Sequence, residues 1–266
     1  IKDADGLLFC FADINENVLR AAPKLKVAQR YGIGVDNINI NIANELGVVV
    51  ANIPDYCIDE VSDHALSMIL SLNRMLAPHS SMVKKGKWAE IVKSQRVYRL
   101  SEATLGIVGF GRIGRRLATK CQSLGINIVS YDPLVSESQI DGVEMVSFDE
   151  LLLRSNIISL HVPLTESTYH MISDNQLSMM VDDVILINVS RGGLIDEAVL
   201  ATYLDQGKVR GVGLDEIEDH SPGATNPLFN FENVMITPHT AFFSQESTQE
   251  LQIRACDQIL RILNGQ

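Results

Sequence analysis

A chain of 266 residues with 46% hydrophobic and 21% charged side chains can bury a substantial core and lies far from the composition of disordered chains. Its 22 basic and 33 acidic residues give a formal charge of −11, which repels nucleic-acid phosphates and anionic bilayers, so neither nucleic acid nor membrane is expected as a partner. The four cysteines (Cys10, Cys57, Cys121, Cys256) lie far apart and form no CxxC pair, so they suggest neither a zinc ribbon nor a disulfide framework and point to a reduced, cytoplasmic protein, and no apolar run reaches membrane-spanning length.

The chain opens on Ile1 rather than Met, and Ala4-Asp5-Gly6-Leu7-Leu8-Phe9 reads as a connection already entering a strand, so the natural N-terminus is expected to be missing. Val27-Ala28 and Val48-Val49-Val50 predict strands of a small α/β unit, with loops at Gly32-Ile33-Gly34 and Asn52-Ile53-Pro54. From Asp59 to Leu72, residues Val61, Ala65, Met68, Ile69 and Leu72 share one helical face. That stripe packs either inside one subunit or against a second copy, the latter making the protein a homodimer. Lys84-Lys85-Gly86-Lys87 and Trp88 read as a solvated turn with one anchoring aromatic, in preference to a phosphate-binding patch.

From Leu105 to Thr237 one rhythm repeats, a short β-branched apolar run followed by ten to twenty residues of helical periodicity. Strands are predicted at Leu105 to Gly109, Ile126 to Ser130, Ile157 to His161, Val184 to Asn188, Gly211 to Asp215 and Val234 to Thr237. They lack alternation, so both faces of a parallel sheet are buried. Ser147 with Glu150 predicts a capping box, and Asp196 the N-cap of a helix through Leu200 and Leu204.

Gly109-Phe110-Gly111-Arg112-Ile113-Gly114 is a G-x-G-x-x-G that follows a strand and opens a helix. The first glycine allows the tight turn, the second a close approach of backbone to pyrophosphate, the third close helix packing. Asp132 lies 18 residues after Gly114, at the end of the next strand, where a carboxylate binds ribose hydroxyls and repels a 2′-phosphate. NAD is therefore the expected cofactor. The spacing disfavours a methyltransferase on a related sheet.

Further motifs surround this fingerprint: Tyr31-Gly32-Ile33-Gly34-Val35-Asp36-Asn37, Tyr131-Asp132-Pro133, Leu160-His161-Val162-Pro163-Leu164-Thr165, Asn188-Val189-Ser190-Arg191-Gly192-Gly193, Gly213-Leu214-Asp215 and Thr237-Pro238-His239-Thr240-Ala241. Over nearly its whole length the chain resembles the D-isomer-specific 2-hydroxyacid dehydrogenases, nearest in motif to the phosphoglycerate dehydrogenase-like members. The resemblance implies an α/β fold in which a Rossmann-type doubly wound parallel sheet (residues 59–240) is inserted in a smaller flavodoxin-like substrate domain (1–58 and 241–266), truncated at its N-terminus. It implies an enzyme that moves a hydride between NAD(H) and a small 2-oxo or 2-hydroxy acid. The corepressor branch supplies the alternative, an NAD(H)-sensing scaffold with little turnover.

By the same resemblance, Arg191 binds and polarises the substrate, and its bidentate guanidinium suits a carboxylate beside a ketone. His239 is the acid/base. The backbone N–H groups of Ile33 and Gly34 receive the substrate carboxylate. His161, Val162, Pro163, Thr168, Asn188, Val189 and Ser190 line the cofactor groove, and Asp215 contacts the nicotinamide carboxamide or caps a nearby helix. The family's glutamate, which orients the histidine, follows the strand-end aspartate by five residues. In Asp215-Glu216-Ile217-Glu218-Asp219-His220 that position is His220, with Glu218 or Asp219 serving instead if the loop shifts. His64 is expected near a neighbouring subunit's site, and His79 and His170 at the surface.

Overall fold

The computed structural model describes residues 1–88, 96–219 and 226–266. The chain divides into two compact units, Ile1–Cys57 with Phe243–Gln266, and Ile58–Phe242.

In the first unit, β1 (Gly6–Phe9), α1 (Glu16–Arg20), β2 (Val27–Arg30), α2 (Ile40–Glu45) and β3 (Val49–Ala51) build a three-stranded parallel sheet in the order β1-β2-β3. Asn15 and Asn39 cap the two short helices by accepting first-turn N–H groups, which such helices need because few internal bonds hold them. Phe9, Ile14, Leu19, Leu25, Ala28, Ile38 and Val48 form the core of this unit.

The second unit begins with α3 (Ile58–Arg74) and α4 (Leu76–Lys84), then alternates strand and helix: β4 (Thr104–Val108), α5 (Arg112–Gln122), β5 (Asn127–Tyr131), β6 (Val143–Met145), α6 (Phe148–Arg154), β7 (Ile157–Leu160), α7 (Asp174–Met179), β8 (Val184–Asn188), α8 (Glu197–Asp205), β9 (Val209–Leu214) and β10 (Val234–Ile236). Its seven strands are all parallel, in the order β10-β9-β8-β7-β4-β5-β6. From β4 the chain winds outward one way through β5 and β6, then crosses to β7 and winds the other way. The switch between β4 and β7 is where open α/β sheets leave a crevice at their carboxyl edge. Neighbouring β4 residues face opposite layers: a side chain at Gly106 would run into Leu151 of α6, whereas Ile107 packs beneath Gly114 of α5. The last helix, α9 (Gln245–Leu263), returns to the first unit and packs on β1 and β2, with Ile259 filling the room left by Gly6.

All six predicted strands of the large sheet are present, within two residues of their expected limits at either end. The short β6 escapes the pattern because three residues show no period. Asp196 caps α8 through the Val199 N–H, while Ser147 makes only half of a capping box: Glu150 pairs with Arg154 instead of reaching back. The apolar stripe of α3 is resolved in favour of the core, since Met68 and Leu72 pack on Gly213 and Gly211 of β9 and the helix lies along α5, β8 and β9 of its own unit. Trp88, expected to anchor its turn, is 82% exposed.

Met68 is 2% exposed and occupies the space that a side chain at residue 213 would take. Met68→Ala therefore leaves a cavity between α3 and β9, with an expected loss of ~2–5 kcal/mol read as a lower midpoint in chemical unfolding.

Candidate active site

The glycine turn after β4 is shaped by contact. Gly109 has φ +95°, and a Cβ there would lie 2.6 Å from the carbonyl oxygen of His161; one at Gly114 would overlap the Gly109 oxygen. Only glycine lets β4, β7 and α5 meet this closely. A Cβ at Gly111, by contrast, would enter open space, and no side chain caps α5 there. The first-turn N–H groups around Arg112 and Ile113 are thus available to an anion. Asp132, just beyond β5, accepts from the Phe110 N–H at 2.8 Å and the Leu134 N–H at 2.9 Å, which brings its carboxylate to the turn.

At the end of β7, burial pushes the His161 imidazole down to about 4, so the ring is neutral at pH 7. Its Nε2 meets the Ser159 hydroxyl at 2.9 Å, while Nδ1 is buried with no partner among the described residues. A buried polar atom without a partner invites a ligand group. The open space at Gly111, the uncapped helix and this orphan nitrogen fit a dinucleotide along one sheet edge. Val162 and Pro163 follow directly; Thr168 ties their loop by donating to Pro163 O at 2.7 Å and accepting from Thr165 N at 2.8 Å.

The β8 end presents Arg191. Buried Asn188 brackets that loop, donating to Arg191 O at 2.7 Å and accepting from Ser190 N at 3.0 Å, and the Ser190 hydroxyl donates to Leu160 O of β7 at 2.9 Å. Asn188, Val189 and Ser190 thus shape the backbone that carries the half-buried Arg191. Gly192 then lies directly against the backbone of Ile217. The Arg191 loop and the segment after β9 are locked together by a contact that any side chain at 192 would break.

His239 follows β10 in the left-handed region, φ +52°, a conformation costing a non-glycine residue ~1–3 kcal/mol. Its N–H donates to Asp215 O at 2.8 Å. The Asp215 carboxylate, 2% exposed, accepts from the Thr237 hydroxyl (2.6 Å), Thr240 N (2.9 Å) and Ala241 N (2.8 Å). Asp215 therefore organises the turn bearing His239. Thr237 gives its single proton to Asp215, so its oxygen accepts from His64 Nε2 at 2.9 Å, which assigns the tautomer of that imidazole. His64 is thus engaged inside its own unit rather than turned toward a neighbour.

The carboxylate at His239 Nδ1 belongs to Glu216, whose side chain is 3% exposed. Glu218 is held elsewhere: its Oε1 takes the Tyr169 hydroxyl at 2.8 Å and His170 Nε2 at 3.0 Å, and its N–H donates to Glu197. His170, expected merely at the surface, stacks on Tyr169 and lies between Glu218 and Asp196. Asp219 ends the described segment, and His220 lies outside the described residues. The sequence did hold a signal for Glu216: two successive acids closing a fully buried strand, a place where each charge must find a partner.

In the first unit, the loop after β2 is held through its carbonyls. Gly34 O accepts from Arg30 Nε at 3.2 Å, Ile33 O from Asn52 at 2.7 Å and Gly32 O from the Ile53 N–H at 3.1 Å. The N–H groups of Ile33 and Gly34 bond to nothing among the described residues, leaving two adjacent donors for an anion. No group of three or more potential metal ligands occurs among the described residues.

Residues 66–241 match the NAD-binding domain of the D-isomer specific 2-hydroxyacid dehydrogenases. The chain is 36% identical to the D-3-phosphoglycerate dehydrogenase of Methanocaldococcus jannaschii, over all of this chain and 51% of that protein, and 35% identical to the glyoxylate reductase of Korarchaeum cryptofilum, over all of this chain and 82% of that one. It spans about half the length of the phosphoglycerate dehydrogenases it matches. Among solved structures, D-lactate dehydrogenase from Aquifex aeolicus, complexed with NAD and lactic acid, superposes with a TM-score of 0.93 at 31% identity, covering 99% of this chain and 84% of that one. The fold is a parallel-sheet α/β fold of Rossmann type with NAD as its cofactor, and the chain belongs to the D-isomer specific 2-hydroxyacid dehydrogenase family.

Proposed function

We propose that the protein is an NAD-dependent D-2-hydroxyacid dehydrogenase that interconverts a small 2-oxo acid and its 2-hydroxy acid. The observation that carries this reading is the arrangement at one edge of an NAD-binding sheet, where Arg191 stands on a loop bracketed by Asn188 and His239 on a turn bracketed by Asp215. When bound, NAD(H) supplies the hydride acceptor or donor. Arg191 holds the substrate carboxylate with its planar guanidinium and draws electron density from the ketone oxygen. His239 protonates the developing alkoxide in reduction and takes the proton back in oxidation. Asp132, at the end of β5, favours NAD by repelling a 2′-phosphate. Residues 1–58 and 241–266 are assigned to the substrate domain and 59–240 to the NAD domain, limits that fall near those of the compact units. The corepressor-like alternative drew its force from a missing carboxylate, and Glu216 beside His239 removes that ground.

The partners in this reading are a small carboxylic acid and a second copy of the chain. The α3 stripe no longer argues for a dimer; α4 does, because it buries none of its own residues and leaves Leu76 and Val83 exposed, with Trp88 just beyond. We place the protein in the cytoplasm, where its four free cysteines stay reduced. No helix among the described residues is long and apolar enough to cross a membrane.

Loss of NADH absorbance is expected with at least one of glyoxylate, hydroxypyruvate, pyruvate or phosphohydroxypyruvate. Arg191→Met and His239→Gln are each expected to lower kcat/KM by ~10²–10⁴-fold while a fluorescence titration finds NADH binding retained; full turnover in either variant would remove that residue from the chemistry. Asp132→Ala should raise the NADPH-to-NADH ratio of kcat/KM by roughly tenfold, as expected when one carboxylate's repulsion is removed. Light scattering at micromolar concentration should return twice the chain mass, and a monomer would rule out the dimer.

A further inference from the structure

We propose that Glu216, one residue past the strand-end Asp215, is the positioning carboxylate of His239. The proposal deepens the dehydrogenase reading and rests on it. It starts from the observed contact of a Glu216 carboxylate oxygen with His239 Nδ1. A carboxylate this deeply buried is stable only where donors meet it, and the imidazole N–H is one. The contact assigns the proton of the neutral ring to Nδ1, leaving Nε2 to face the substrate oxygen.

Glu216 has little freedom to be anywhere else. Asp215 before it is fixed through its carbonyl to His239 N and through its carboxylate to Thr237, Thr240 and Ala241. Ile217 after it is pressed on Gly192, and Glu218 is held by Tyr169, His170 and Glu197. Consecutive residues of one segment therefore hold both the backbone and the ring of His239. Little side-chain entropy remains to be lost when the site engages substrate.

The proton account closes on this pair. Bound NADH would supply the hydride for C2; as the carbonyl π electrons move onto oxygen, that oxygen takes the proton from Nε2 of the His239 imidazolium. His239 is left as neutral imidazole, still protonated on Nδ1 against Glu216. The carboxylate neither gains nor loses a proton. It orients the ring and stabilises its cation.

The test uses the full chain as Glu216→Gln and Glu216→Asp. In the direction of oxo-acid reduction, Glu216→Gln is expected to lower the turnover rate on the order of 10²-fold, with KM for the acid and the NADH dissociation constant within about threefold of wild type; Glu216→Asp should recover part of the loss. A proton spectrum of the free protein provides a second readout. A far-downfield Nδ1 proton, assigned by its disappearance in His239→Gln, should be present in wild type and Glu216→Asp and lost in Glu216→Gln. Wild-type turnover together with a retained downfield proton in Glu216→Gln overturns the proposal. If Glu216→Gln fails to fold, absence of that proton from the wild-type spectrum overturns it instead. A wild-type protein that reduces no acid in the panel yet shows the signal sinks the dehydrogenase reading and leaves the Glu216–His239 pairing standing.

Discussion

A carboxylate removed from water has to be surrounded by donors, and in the larger unit that requirement falls on Asp215. Its two oxygens are met by the Thr237 hydroxyl and the N–H groups of Thr240 and Ala241, and its own carbonyl receives the His239 N–H. Each hydrogen bond to a charged group is worth ~1.5–3 kcal/mol, so together they outweigh the ~1–3 kcal/mol of left-handed backbone at His239. The turn cannot relax toward a commoner conformation without stranding a buried charge. The imidazole therefore stands where β9 and β10 put it.

The remaining functional groups follow from the same sheet. Parallel strands with both faces covered direct their carboxyl ends to a single edge, so the turns after β4, β7, β8, β9 and β10 collect there. Where two turns must touch, a glycine removes the obstacle: Gly109 against His161, Gly192 against Ile217. These are backbone contacts and transmit position with little compliance. Arg191 and Glu216, each one residue from the second contact, are placed relative to one another by it.

Much of this was legible in the residue order. Apolar β-branched runs without alternation located the large sheet to within two residues, and the glycine turn was readable because its mechanics demand glycine at set intervals. What escaped depended on three dimensions. A helical stripe such as that of α3 looks the same whether its partner is a sheet or another copy, and only the glycines of β9 show where Met68 and Leu72 go. His64 and Thr237 are 173 residues apart, a pairing no local pattern betrays. Counting along the chain from Asp215 to the acid beside His239 presumes a loop of one shape; here Glu218 is drawn away by Tyr169 and His170 while Glu216 turns inward.

The turn that carries His239 is held by Asp215 through contacts to backbone and threonine, none of which involves the imidazole itself. The backbone of His239 and its ring are therefore held by two neighbouring residues through different contacts, Asp215 through its carbonyl and carboxylate and Glu216 at Nδ1. Such a division separates where the imidazole sits from which way it turns: the bonds that hold the turn use backbone, threonine and Asp215, and persist whatever side chain faces Nδ1.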